Sequence, residues 1–164
     1  MKEKFERLKV DRRAWLALIL VIVLDQLSKS LILSSFSVGE VRSIIPGFFN
    51  LTLTYNPGAA FGLLSDLPDG SRVLVLSLTI CAALAAVGYF LLNEYYDDGI
   101  GQIGLLMIVG GAIGNIIDRA RFGEVVDFLD VYFRSYHWPA FNIADSAICL
   151  GVTVLLFRKP SRKV

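Results

Sequence analysis

The chain has 164 residues, 55% hydrophobic and 19% charged, with a net charge of +1 and a mean hydropathy of +0.61. That is too apolar for a soluble domain of this size and ordinary for a small protein dissolved in a bilayer. The near-zero charge argues against a nucleic-acid partner, and the single histidine, His137, has no second histidine or cysteine cluster with which to build a metal site, which argues against zinc-protease chemistry and implies no cofactor.

In chain order, four apolar segments stand out, at residues 14–33, 73–92, 100–117 and 141–157. Each fits the roughly 17–25 residues that a spanning helix needs, the last at the lower limit, so the expected fold is an all-α integral membrane protein with four transmembrane helices. Lys2, Lys4, Arg7, Lys9, Arg12 and Arg13 precede the first span, and Arg158, Lys159, Arg162 and Lys163 follow the last, which predicts that both termini are cytoplasmic. The loop at residues 93–99 belongs on the same side yet carries Glu94, Asp97 and Asp98 with no Lys or Arg. Acids weigh little in that rule, so the topology stands. Asp25 and Lys29 follow the first apolar stretch without a small-residue cleavage site, which favours an uncleaved anchor over a removed leader. Cys81 and Cys149 lie in apolar runs and are expected to pack as small hydrophobes with no disulfide framework. No internal repeat or linker divides the chain, which reads as a single membrane-embedded domain over residues 1–164.

Between the spans, Leu51–Tyr55 alternates as a half-buried strand does and ends at the turn signal Asn56-Pro57-Gly58. Ala59–Leu64 is apolar and uncharged and lies close to Phe48 and Phe49, so this loop is expected at the headgroup region. Ionisable groups at membrane depth are costly and mark functional candidates. Asp25 and Lys29 have the spacing of an ion pair on one helix face, either functional or a polar helix end. Asn115, Asp118 and Arg119 also share a face, or else mark the exit of the third span into water; Gly110 and Gly114 upstream form a helix-packing pair. Asp127 is a lone carboxylate in the apolar run Val125–Leu129, and Asp145 stands three residues after Asn142, as in a capping box. If Asp127 and Asp145 share a proton, one serves as base toward water and the other as acid toward a leaving amine, which is aspartic-protease chemistry. With 18 residues between them, spacing leaves open whether they meet.

Five segments together resemble the motif set of the lipoprotein signal peptidase family, signal peptidase II. They are Asp25–Lys29, Asn56–Phe61, Gly110–Arg119, Val125–Phe128 and Trp138–Asp145, in the family's order. The resemblance implies a small extracytoplasmic β-sheet cradling the site, an interfacial loop or helix, and a catalytic dyad at Asp127 and Asp145. It places Asn56, Asn115, Arg119 and Asn142 on substrate and Asp25, Lys29, Asp118 and Gly58 in support. It also implies diacylglyceryl-modified prolipoproteins as substrates, contact with membrane lipid, inhibition by globomycin-type cyclic peptides, action as a monomer, and residence in the bacterial inner membrane with the site near the extracytoplasmic surface. A proton or ion conductor would instead spread the acids through the membrane, whereas these gather toward one face. A structural partner protein would tolerate Asp127→Asn and Asp145→Asn.

Overall fold

A computed structural model describes residues 9–58 and 67–158. Helix α1 (Arg12–Ser35) leads into a hairpin of β1 (Val41–Ile45) and β2 (Phe49–Asn56), followed by α2 (Asp69–Asn93) and α3 (Gly99–Phe122). Strands β3 (Val125–Phe133) and β4 (Tyr136–His137) and helix α4 (Ile143–Phe157) follow, the last of the elements among the described residues. The apolar segment Ala59–Leu64, expected at the headgroup region, lies outside the described residues.

Helix α1 shows the solvent for which the bundle is built. Its outward residues are apolar, with Leu27 and Leu31 59% and 67% exposed, whereas Asp25 and Lys29 are 0% and 2% exposed on the inner face. Apolar outside and charged inside is the reverse of a water-soluble helix and suits a hydrocarbon surrounding. Among the described residues, α1, α2 and α3 are long and apolar enough to cross a membrane, while α4 is a shorter apolar helix.

Helix α3 stands at the centre, running parallel to α1 and antiparallel to α4, because its glycines let both neighbours approach. A Cβ on Gly110 would meet the Leu18 carbonyl and Val21, and one on Gly151 of α4 would lie 2.5 Å from the Gly104 carbonyl. That second neighbour is backbone and cannot rotate away. Gly151→Ala is therefore expected to force the helices apart and cost about 1–3 kcal/mol, read as a fall of several degrees in unfolding temperature in detergent. Helix α2 is held more loosely: Val87 and Leu91 pack with Tyr95 and Leu105, but Val73, Leu74 and Leu78 near its start are about 60% exposed.

The third apolar run does not end at residue 117. Helix α3 continues to Phe122 and stops where Gly123, at φ 80°, turns left-handed and donates its N–H to the Arg119 carbonyl. Asp118 thus lies inside the helix and is 1% exposed, so it does not mark an exit into water. The acidic loop also finds its reason: Asp98 caps α3 by accepting from the Ile100 N–H and binds Arg158 at the end of α4, Nε to Oδ2 at 2.7 Å. The same contact levels the start of α3 with the end of α4.

The sheet is four-stranded and antiparallel in the order β1-β2-β3-β4, and the expected strand Leu51–Tyr55 falls within β2. It rests on the upper end of α1, where Ile32 packs with Leu53, Val126 and Phe128. In its register Asn56 lies opposite Val125 and Thr54 opposite Asp127. Phe141 bridges to Leu129, so the chain enters α4 from the edge of β3. The fourth helix accordingly starts at Ile143, two residues later than its apolar run.

Candidate active site

At α4's start Asn142 is the N-cap: its Oδ1 accepts from the Asp145 N–H at 2.9 Å, as the capping pattern predicts. The Asp145 carboxylate does not complete a capping box, since its Oδ1 accepts from Asn115 Nδ2 of α3 at 2.8 Å. Asn142 Nδ2 donates to Asp127 Oδ1 at 2.7 Å and to Asn115 Oδ1 at 3.2 Å. Asp127 and Asp145 are thereby joined by two asparagine amides, 142 and 115. The second oxygen of Asp127 accepts from Asn56 Nδ2 at 3.0 Å. Asn56 Oδ1 in turn accepts from the Gly58 N–H, and the Gly58 carbonyl accepts from Arg119 Nη2 at 2.9 Å.

Below this pair lies a second, fully buried cluster. Lys29 Nζ is 2.8 Å from both Asp25 Oδ2 and Asp118 Oδ2 and donates to Asn115 Oδ1 at 3.2 Å, so its three protons have three acceptors. Asp25 Oδ1 accepts from the Ala144 N–H at 2.9 Å, and Asp118 Oδ2 from the Val126 N–H at 3.1 Å. A Cβ on Gly114 would stand 2.5 Å from Asp25 Oδ2, so this glycine makes room for a carboxylate as well as for a helix.

All ten sequence-predicted positions, Asp25, Lys29, Asn56, Gly58, Asn115, Asp118, Arg119, Asp127, Asn142 and Asp145, thus meet in one hydrogen-bonded array. Sequence reasoning missed Gln26, whose Nε2 donates to Asp25 Oδ2, Asp118 Oδ1 and the Gly114 carbonyl at 3.1–3.2 Å. Its available signal is a polar amide inside an apolar run, beside the acid. His137 stands apart, 2.8 Å from Asp130 through Nδ1 and stacked on Tyr132.

The array opens on a cavity of about 390 Å³ whose wall includes Asn56, Asn115, Arg119, Trp138, Phe141 and Asp145. Arg119 Nε is buried there with no hydrogen-bond partner among the described residues. Asp127, 2% exposed, sits behind this wall. Burial, and then the charge of Asp145, push its carboxyl up to about 7, although Asn56, Asn142 and the charge of Lys29 act to lower it. One carboxyl that holds a proton near neutral pH beside another that opens on a cavity can supply both an acid and a base to a water molecule.

A family model described as Signal peptidase (SPase) II matches residues 17–159. The chain is similar to the lipoprotein signal peptidase of Syntrophotalea carbinolica, 47% identical over 84% of each chain. It is 45% identical to that of Neisseria gonorrhoeae over 92% of this chain and 94% of the relative. A bacterial membrane enzyme solved by the in meso method at 2.3 Å resolution shares the fold with a TM-score of 0.76 and 32% identity, covering 93% of this chain and 94% of the other.

Proposed function

Because the chain belongs to the signal peptidase II family, we propose that it is an intramembrane aspartic endopeptidase that removes signal peptides from diacylglyceryl-modified prolipoproteins, cutting before the lipidated cysteine. The observation that carries this reading is the linked pair Asp127 and Asp145, joined through Asn142 and Asn115 beside a cavity. Asp145 faces the cavity and takes a proton from water, whose oxygen attacks the scissile carbonyl. Asp127 keeps the shared proton, supports the developing oxyanion, and passes the proton to the departing amine as the C–N bond breaks. Arg119, Asn56 and Asn115 in the cavity wall orient the peptide, and Asn142 behind them fixes the pair. Since Asp127 must stay protonated and is pushed up to about 7, cleavage is expected to decline as pH rises through that value, read from kcat/KM against pH.

The substrate reaches the site from the bilayer. A second cavity of about 450 Å³ lies between α2 and α3, lined by Val73, Leu76, Ile80, Ile116 and Ala120 and reaching Arg119, which suits an apolar signal helix entering beside the loosely held end of α2. The α4 helix, with 15 residues against 24 in α3, is about 14 Å shorter. Levelled with α3 at one end by Arg158 and Asp98, it starts well below the other end of α3. That lowers Asp145, on the first turn of α4, beneath the sheet that carries Asp127, which supports a dyad where the bundle meets the sheet, at the end of α3 away from Asp98. We assign α4 as the fourth span of an inner-membrane monomer, with both termini cytoplasmic, the sheet extracytoplasmic, and globomycin-type peptides blocking the dyad. In a background lacking Cys81 and Cys149, an impermeant maleimide added to intact cells is expected to label Ser135→Cys at the β3–β4 turn but Asp97→Cys only after permeabilisation.

The direct test is incubation of a diacylglyceryl-modified prolipoprotein with the purified protein in detergent and chelator. A cut before the modified cysteine is the expected product. A verified substrate left intact, or a cut abolished by chelator, would overturn the proposal.

A further inference from the structure

We propose that Lys29 is a positioning residue for the reaction, a single ammonium that holds both dyad carboxylates in register and whose positive charge sets the pH range in which they work. This rests on Asp127 and Asp145 being the dyad. Each of the three protons of Lys29 ends one step from a reacting group. Through Asp25 it reaches the Ala144 N–H, the residue before Asp145. Through Asp118 it reaches the Val126 N–H, the residue before Asp127. Through Asn115 it reaches the Asp145 carboxylate itself.

The third arm depends on lysine being a donor only. With Asn115 Oδ1 occupied by Lys29 and by Asn142 Nδ2, the amide of Asn115 has one orientation left, and its Nδ2 must face Asp145. A brace alone would not need a charge. Burying an ammonium carries a desolvation cost that apolar packing or a neutral amide avoids, and Lys29 is 2% exposed. What the charge adds is a field. The charged groups around it are Asp25 on its own helix, Asp118 and Arg119 on α3, Asp127 on β3 and Asp145 on α4. Acids outnumber bases among them by four to two when Lys29 is counted with Arg119. Lys29 favours the ionised form of Asp127, opposing the burial that disfavours it.

Charge and scaffold are separable by sign. Replacing Lys29 with Gln removes a cation, so the dyad holds its protons more tightly and both limbs of the profile of kcat/KM against pH are expected to move up, by about half a unit to one unit. Asp118→Asn removes an anion from the same cluster, and the limbs are expected to move down. Lys29→Arg keeps the charge with altered geometry and is expected to lower the profile without moving it. Limbs that stay in place in both Lys29→Gln and Asp118→Asn, or move the same way in both, would reduce Lys29 to a brace and overturn the proposal. If Lys29→Gln does not fold, the downward shift of Asp118→Asn against the unmoved Lys29→Arg decides. An active Asp127→Asn or Asp145→Asn would instead remove the dyad reading and this inference with it, an outcome distinct from inactive dyad variants alongside Lys29→Gln and Asp118→Asn limbs that stay in place.

Discussion

Asp145→Asn is expected to lower cleavage of a lipid-modified prolipoprotein by three orders of magnitude or more while leaving the fold intact, because the amide keeps the shape of the group but cannot accept a proton from water; general acid–base assistance by one positioned group is worth about 10²–10⁴-fold. Asp127→Asn is expected to be equally inactive, but the two differ in stability. Asp127 has its carboxyl pushed from 3.8 to about 7 by burial and by Asp145. An acid whose folded value lies above its unfolded one stabilises the fold fully below the unfolded value, and that contribution is lost as pH rises through the folded value. For a shift of this size the loss is on the order of 4 kcal/mol, complete above about pH 7. The amide that replaces the carboxyl in Asp127→Asn does not titrate, so the variant is expected to gain on the wild type between about pH 5 and pH 8. Comparing unfolding temperatures of the two proteins in detergent at both pH values checks this. A variant that gained nothing on the wild type over that range would mean that Asp127 is not held protonated.

The Asp25–Lys29 contact was legible because it is local: four positions along a helix put two side chains on one face. Its third member, Asp118, was not, since the bond joins helices whose pairing depends on Gly110 and Gly114, and a pair of glycines marks a close approach without naming the neighbour. The Asn142 cap was legible for the same local reason, whereas the turn of Asp145 toward Asn115 was not. Strand β2 showed through its alternation. Strand β3 did not, because Val125–Phe128 are buried on both faces, so the segment shows no alternation and its one polar residue, Asp127, falls among apolar neighbours. Strand β1 was hidden for the opposite reason, since every residue in it is exposed and no face is distinguished. The motif resemblance supplied what periodicity lacked, the expectation of a sheet and of a dyad. Distances then show how the intervening amides connect the two acids.

Those amides make Asn142 the position at which a one-atom change should do most harm short of the carboxylates themselves. Asn142 is 0% exposed and does two jobs with its two ends. Its oxygen caps α4, and its nitrogen donates to Asp127, Asn115 and the Val126 carbonyl. Asn142→Asp preserves the first job, since a carboxylate accepts from the Asp145 N–H at least as well and suits the helix N-terminus. It destroys the second, putting an acceptor and a negative charge where Asp127 Oδ1 needs a donor. Asn142→Ser also keeps a capping oxygen, removes the amide donor and adds no charge. Cleavage is therefore expected to fall by about a thousandfold in Asn142→Asp and by only about ten- to a hundredfold in Asn142→Ser, with α4 still formed in both. Measuring kcat/KM on the two variants separates the added charge from the lost donor, and far-ultraviolet circular dichroism checks that the cap holds in both. Equal losses would show that the missing amide donor, the change the two variants share, accounts for the whole effect and the added charge for none of it; an Asn142→Asp variant as active as the wild type would mean that Asp127 does not depend on the donor at all.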